Sequence, residues 1–270
     1  MSSYLITGAS RGLGFEFLRQ LSRDPNNTII GLVRNKAAAD AKAKEEGLDH
    51  VHMVEAQYTD LASLKDAAED VKAIAGGSLD YLINNAAIIS HVSAWKTLGD
   101  FEDDFETLEK DLWESLEINL LGAMKTINAF LPLIRNGKGK KIITISSGMA
   151  DIDLINATEV AFAGSYAISK GAVNVAIAKY NALYNKDGIL FLAVSPGYVS
   201  TERNKVEAAP EDAHKAAILV GKFAEYAPHF QRPLTPEESV MAVISVMDKA
   251  SITNGDGGAF ISHLGNKQWL

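Results

Sequence analysis

Tyr166 and Lys170 are the side chains whose spacing first suggests chemistry. They stand four residues apart in GSYAISKG (164–171), so on a helix both project from one face. A phenol held near a positive charge has its ionised form favoured, which makes it an acid able to release a proton toward neutral pH. The same spacing also suits a boundary helix with a snorkelling lysine and a hydrogen-bonded tyrosine. Eight tyrosines and nineteen lysines in 270 residues would produce about half of one such pair by chance, so the pair decides nothing alone.

Further along the chain, TGASRGLG (7–14) places Gly8, Gly12 and Gly14 between an apolar run and a helical one. Glycines let the chain turn sharply and bring backbone N–H groups close to a pyrophosphate, with the positive end of the following helix aimed at it. Ser10, Arg11 and Leu13 sit between the glycines and belong to the same expected cofactor contact. A dinucleotide site that prefers NAD(H) carries an acidic residue at the end of the second strand. Here that strand ends Gly31-Leu32-Val33-Arg34-Asn35-Lys36, without an acid. Arg34 and Arg11 can instead fork onto a 2′-phosphate, which favours NADP(H). Asp60-Leu61, after the third strand, suits an adenine edge contact, and Asp60 suits a helix N-cap equally well.

Three more strand ends carry polar or small residues. LINNAAI (82–88) offers Asn84, Asn85, Ala86 and Ala87; ITISSG (143–148) offers Ser146 and Ser147; SPGYVST (195–201) offers Pro196, Gly197, Val199 and Thr201. In open parallel sheets, ligands bind in the crevice outside the carboxyl ends of the strands, so these groups should share one cleft. Asn119 lies in LEINLLGAM, where an amide among apolar neighbours needs a partner or a purpose.

The elements that must position these groups follow from periodicity. Strands are expected at 3–7, 28–33, 51–56, 80–85, 141–146, 189–195 and 258–262, mostly aliphatic or β-branched runs suited to burial on both faces. Helices are expected near 13–22, 36–46, 61–75, 104–134, 165–186 and 236–249. Repeated β-α alternation predicts an α/β chain with a single-domain Rossmann fold, a doubly wound seven-stranded parallel sheet with helices on both faces, over 1–270. Residues 198–235, with Glu202, Arg203, Asn204, Pro210, Pro228 and Pro233, form a long excursion expected to be a substrate lid. The acidic stretch 100–117 reads as a solvated helix face.

Composition narrows the function classes. The net charge of −8 with scattered lysines gives no electrostatic support for a nucleic-acid partner. The absence of cysteine excludes disulfides, a thiol nucleophile and Cys-ligated metal sites. Six dispersed histidines give no metal pattern, His50-x-His52 included. Apolar periodic sequence from Tyr4 and the lack of a run long enough for a membrane span make the cytoplasm the expected location.

Together, Thr7-Gly8-x-x-x-Gly12-x-Gly14, Asn84-Asn85-Ala86-Ala87, Asn119, Ser147, Tyr166-x-x-x-Lys170 and Pro196-Gly197-x-x-x-Thr201 resemble the short-chain dehydrogenase/reductase family in order and approximate spacing, along essentially the whole chain. LVRN after the second strand and NGDGGAFISHLGNKQWL near the end resemble its carbonyl-reductase branch, including C-factor-like and fungal ketoreductase-like members. The resemblance implies an NADPH-dependent reductase of a ketone or aldehyde, reversible as an alcohol dehydrogenase. Tyr166 would be the general acid, assisted by Lys170, which would also bind the nicotinamide ribose. Ser147 would donate to the substrate carbonyl oxygen, with Ser146 the alternative on the opposite strand face. Asn119 would anchor a water connecting Lys170 to solvent. The family's dimers and tetramers would pair helices 104–134 and 165–186. Two departures stand out: Ala87 replaces the family's glycine, and the 19-residue interval from Ser147 to Tyr166 exceeds the usual one, enlarging a loop beside the site. Two other functions use the same residues, an NADP(H)-binding sensor or scaffold without turnover and a dehydratase or cyclase on this scaffold. An intact Ser-Tyr-Lys-Asn set argues against the first, and the walls at 88–104, 148–165 and 198–235 decide the second.

Overall fold

The computed structural model describes residues 1–201 and 210–270. Seven strands form one parallel sheet: β1 (Ser3–Thr7), β2 (Thr28–Val33), β3 (His52–Glu55), β4 (Tyr81–Asn84), β5 (Lys141–Ile145), β6 (Leu190–Ser195) and β7 (Phe260–Ser262). Their order is β3-β2-β1-β4-β5-β6-β7, so the chain winds outward from β1 in one direction and returns past it through β4. The reversal of winding opens a crevice at the carboxyl ends of β1 and β4.

Side-chain alternation along each strand divides the interior in two. Ile6, Ile83, Ile143 and Leu192 pack with Phe15 and Leu18 of α1 (Gly12–Leu21), Ala39 of α2 (Lys36–Glu45) and Val240 and Met247 of α9 (Pro236–Lys249). Their strand neighbours Leu5, Leu82, Ile142 and Phe191 pack on the other face with Leu64 of α3 (Leu61–Ile74), Phe130 of α5 (Gly122–Asn136) and Val173 of α7 (Gly164–Tyr184). Consecutive aliphatic residues in these strands are therefore required, because both faces are covered. No helix among the described residues is long and apolar enough to cross a membrane.

Several boundaries differ from expectation for local reasons. The long helix expected at 104–134 is α4 (Phe105–Leu116), a π-helical turn at Glu117–Leu121 and α5, and Asn119 sits inside that turn. The final strand is shortened to three residues because Gly255 and Gly258 adopt positive φ just before it. The enlarged loop after Ser147 contains α6 (Ile152–Thr158), capped by Asp151, whose Oδ1 accepts from the Leu154 amide at 2.9 Å. Within the expected lid lies α8 (Pro210–Tyr226), where the sequence showed only weak helical patterning. Glu202, Arg203 and Asn204 lie outside the described residues. Of the helices expected to meet a second subunit, α4 leaves Phe105 and Trp113 more than half exposed, and α7 leaves Val175 and Leu183 so.

Gly122, which closes the π-helical turn, lies flat against the Tyr58 ring. A Cβ there would stand 2.3 Å from Tyr58 Cε1. Gly122→Ala is expected to lower unfolding free energy by about 1–3 kcal/mol through overpacking, measured by urea denaturation; a loss below about 0.5 kcal/mol, the range of neutral surface changes, would show that the ring yields freely.

Candidate active site

The glycine turn is built by close backbone approach. Gly8 has φ +66°, and a Cβ there would lie 2.9 Å from Ala86 Cα; a Cβ on Gly14 would lie 2.2 Å from the Gly8 carbonyl oxygen. Gly12, also at positive φ, has open space above it. Thr7 and Asn85 lock this turn to the end of β4. Thr7 Oγ1 accepts from the amides of Asn85 and Ala86, both at 3.0 Å, and Asn85 Nδ2 donates to Thr7 O at 3.0 Å and Gly8 O at 3.4 Å. Ala87 follows at the half-buried rim of the same strand end.

The N-terminus of α1 differs from those of α2, α3, α4, α6 and α9. Those five are capped by the side chains of Asn35, Asp60, Asp104, Asp151 and Thr235, whereas α1 has no side-chain cap and no acid in its first turn. Its first amides therefore lack the acceptor that capping supplies elsewhere, and an anion is their natural partner. Arg11 and Arg34 are exposed at the ends of the adjacent strands β1 and β2, and neither ion-pairs with a described carboxylate. Lys42 of α2 is a third cation here. Its Nζ lies 3.5 Å from Ser10 O and 4.4 Å above the Phe15 ring. Asp60 is the α3 N-cap, with Oδ1 accepting from the Ala62 amide at 2.9 Å, and Leu61 packs on the core beneath it. Half-buried Leu13 packs against the opposite core. An open glycine cradle, an uncapped helix end and cations without a carboxylate partner fit the phosphates of a dinucleotide.

Lys170 is 3% exposed, and its Nζ donates to Ile145 O at 2.7 Å, at the carboxyl end of β5. Burial lowers its pKa from the ordinary 10.5 to about 8. The ammonium lies 5.8 Å from the centroid of the Tyr166 ring, one helical turn back on α7, so the pair meets across the ring face. Asn119 braces this arrangement. Its Oδ1 accepts from Ile88 N at 2.8 Å, and Nδ2 donates to Ile88 O at 3.0 Å and Ser169 Oγ at 2.9 Å. Ser169 Oγ in turn donates to Tyr166 O at 2.7 Å. Both side-chain donors of Asn119 are thus occupied by protein, and its amide connects the residues after β4 to the turn of α7 that carries Tyr166.

The two serines after β5 part ways. Ser146 is buried, and its hydroxyl is 2.6 Å from Asn174 Oδ1, which takes its only proton toward α7. Ser147 is half-buried, and its Oγ accepts from Met149 N at 3.2 Å, leaving its own O–H able to donate. At the end of β6, Gly197 turns with φ +81°, held by Ser239 Oγ donating to Pro196 O at 2.7 Å and by the His263 ring, 2.9 Å from where a Cβ would stand. Val199 is buried and bridges to Leu234, while Thr201 is half-buried at the edge of the described segment.

The sequence points to the acid Tyr166, its partner Lys170 and the glycines but gives no role to Thr7, Ser169, Asn174 or Lys42. Ser169 shares a motif with Tyr166, and Thr7 opens the glycine turn, so both were visible as neighbours. The Ser146–Asn174 and Lys42–Ser10 contacts link residues 28 and 32 positions apart and had no local signal.

A protein-family model described as short chain dehydrogenase matches residues 3–212. Along the full length of both chains the protein is 48% identical to the short chain dehydrogenase virK of Hypocrea virens, and 49% identical to the short-chain dehydrogenase/reductase AacuF of Aspergillus aculeatus. The crystal structure of NADPH-bound carbonyl reductase from chicken fatty liver superposes with a TM-score of 0.77 at 27% identity, covering 98% of each chain. A family match over most of the chain, relatives nearly half identical from end to end and the crevice described above lead to one conclusion: the protein is an oxidoreductase of the short chain dehydrogenase family, whose members bind a nicotinamide cofactor.

Proposed function

We propose that the protein is an NADPH-dependent reductase of a ketone or aldehyde, able to run in reverse as an alcohol dehydrogenase. The observation that carries this reading is the buried Lys170 ammonium, fixed to the end of β5 one helical turn from Tyr166, with the Ser147 hydroxyl emerging from the same strand end. Bound in the crevice, the reduced nicotinamide would supply the hydride. Ser147 then donates its free O–H to the carbonyl oxygen as negative charge grows there. Tyr166 gives up its phenolic proton to that oxygen, so the Tyr O–H bond breaks as the alcohol O–H forms. Lys170 stabilises the phenolate that remains, an effect strengthened by its removal from water. A solvent proton restores the phenol.

Cofactor choice rests on charge. Gly8, Gly12 and Gly14 with the uncapped end of α1 would hold the pyrophosphate, while Arg34 and Arg11 would fork onto the 2′-phosphate, aided by Lys42. The NADPH in the chicken carbonyl reductase structure supports this assignment by likeness. The residues 196, 197, 199 and 201 would receive the nicotinamide amide, and 85–87 its ribose.

Tyr166→Phe is expected to reduce kcat by about 10²–10⁴-fold while leaving NADPH affinity, read by cofactor fluorescence, nearly intact; undiminished turnover would remove Tyr166 from the mechanism. Arg34→Ala should weaken NADPH about tenfold or more with little change for NADH, and equal losses for both would refute the phosphate assignment. The buried lysine also makes a stability prediction. Between pH 8 and 10.5 the unfolded chain holds a proton on Lys170 that the folded chain has released, so this group adds stability as pH rises through that window. Lys170→Met should therefore be the more stable protein below pH 8, by up to about 3 kcal/mol. Its advantage should shrink toward pH 10.5 in urea titrations of cofactor-free protein, and a pH-independent difference would contradict the buried-cation account.

A further inference from the structure

Near Ser147 lies a cavity of about 370 Å³, walled by Met149, Leu154, Val160, Phe162, Ile168 and Phe223. Gly164 and Ala167 of α7 also line it, as does Met149, whose amide donates to Ser147 Oγ at 3.2 Å. None of its described lining residues is charged. The two threonines in the wall have no hydroxyl proton to spare, since Thr97 Oγ1 donates to Asp100 Oδ2 at 2.9 Å and Thr158 Oγ1 to Leu154 O at 2.8 Å. The wall continues into an aromatic layer in which Trp95 meets Phe162 edge-on at 6.2 Å, and Tyr198, Phe223 and Phe230 pack with centroids 5.5–6.2 Å apart.

The nearby cations are engaged elsewhere. Lys222 of α8 donates to Thr158 O at 2.8 Å and Glu159 O at 2.9 Å, the carbonyls at the end of α6. Lys215, two turns earlier on the same face of α8, donates to Trp95 O at 2.9 Å and lies 3.4 Å from Asp212. Lys96 lies over the Phe101 ring at 5.0 Å. An ammonium is a natural C-cap for α6, because the last carbonyls of a helix lack intrahelical donors and carry partial negative charge. These contacts tie α8 to both the α6 wall and the segment before Leu98. The 19-residue interval between Ser147 and Tyr166 is therefore the wall of a cavity, and α8 is strapped across it.

We propose that this cavity takes the body of an uncharged, mainly apolar carbonyl compound of about two fused rings, and that Lys222, as a positioning residue, holds α8 closed over it. The proposal deepens the reductase reading and rests on it. Size and chemistry agree, since cavities that bury most of a small ligand begin near 300 Å³ and are lined mainly by apolar side chains. A carboxylate or phosphate on the ring body would be buried here without a partner, which is strongly unfavourable.

The test uses the full-length protein, NADPH, 1-tetralone and a ring-carboxylated 1-tetralone. The neutral ketone should have the higher kcat/KM by at least about tenfold. Lys222→Met should raise KM for 1-tetralone about five- to tenfold, with kcat and NADPH affinity within about twofold and with recovery in Lys222→Arg. Ala161→Lys, at an exposed position in the wall, should shift preference toward the carboxylated ketone. Equal or better use of the carboxylated ketone by the parent protein, or an unchanged KM in Lys222→Met, overturns the proposal. If neither ketone oxidises NADPH, it is the reductase reading that fails. Calorimetric binding of the two ketones to NADP⁺-mixed protein then decides the cavity on its own: preferential binding of the neutral ketone upholds it, and no preference overturns it.

Discussion

A buried ammonium must be given an acceptor, and the hydrogen bond from Lys170 to the carbonyl of Ile145 is the constraint around which the crevice is arranged. It requires α7 to lie close to the carboxyl end of β5. The small residues around Tyr166 and Lys170 permit that approach, and Val173 and Ile177 continue it into the core. Once Lys170 is placed, Tyr166 is placed too, one turn earlier on the same face. The Asn119–Ser169 link then fixes that turn from the other side, using a π-helical distortion to aim the amide. Such single-turn distortions are rare in helices and recur at functional sites.

The glycine turn is organised by proximity rather than by charge alone. Gly14 and Gly8 come so close that no side chain fits between them, and Asn85 seals the contact from β4. The α1 terminus is left without a side-chain cap, while the neighbouring α2 and α9 are capped by their own side chains. Charge is then supplied at the rim by residues from three separate segments, Arg11, Arg34 and Lys42. An acidic protein can in this way hold a polyanion, because local amides and a few cations act over shorter distances than the net charge does.

The cavity near Ser147 follows a different logic. Its walls come from the segments with the least regular sequence, the stretch before Leu98, the helix α6 and the helix α8. They are joined by lysine-to-carbonyl contacts and by a small apolar cluster in which Val160, Leu219 and Phe223 pack with Trp95, Met149 and Phe162. Loops placed on a rigid sheet commonly carry specificity, since they can vary without disturbing the strands that hold the chemistry.

The amino-acid sequence by itself determined the doubly wound sheet, the glycine turn, and the order of the serine, tyrosine and lysine along the chain. These are encoded by short-range patterns: aliphatic runs, glycine spacing and an i, i+4 pair. Neighbouring residues could not show that Ser146 spends its proton on Asn174 while Ser147 keeps its own, because the difference lies in which strand face meets α7. Nor could they show that Asn119 is occupied by Ile88, or that the long Ser147–Tyr166 interval is a cavity wall strapped by Lys222. Tertiary structure decided these matters. Each depends on hydrogen bonds between residues tens of positions apart, and such contacts have no partner to find until the sheet has brought the strand ends and helices together.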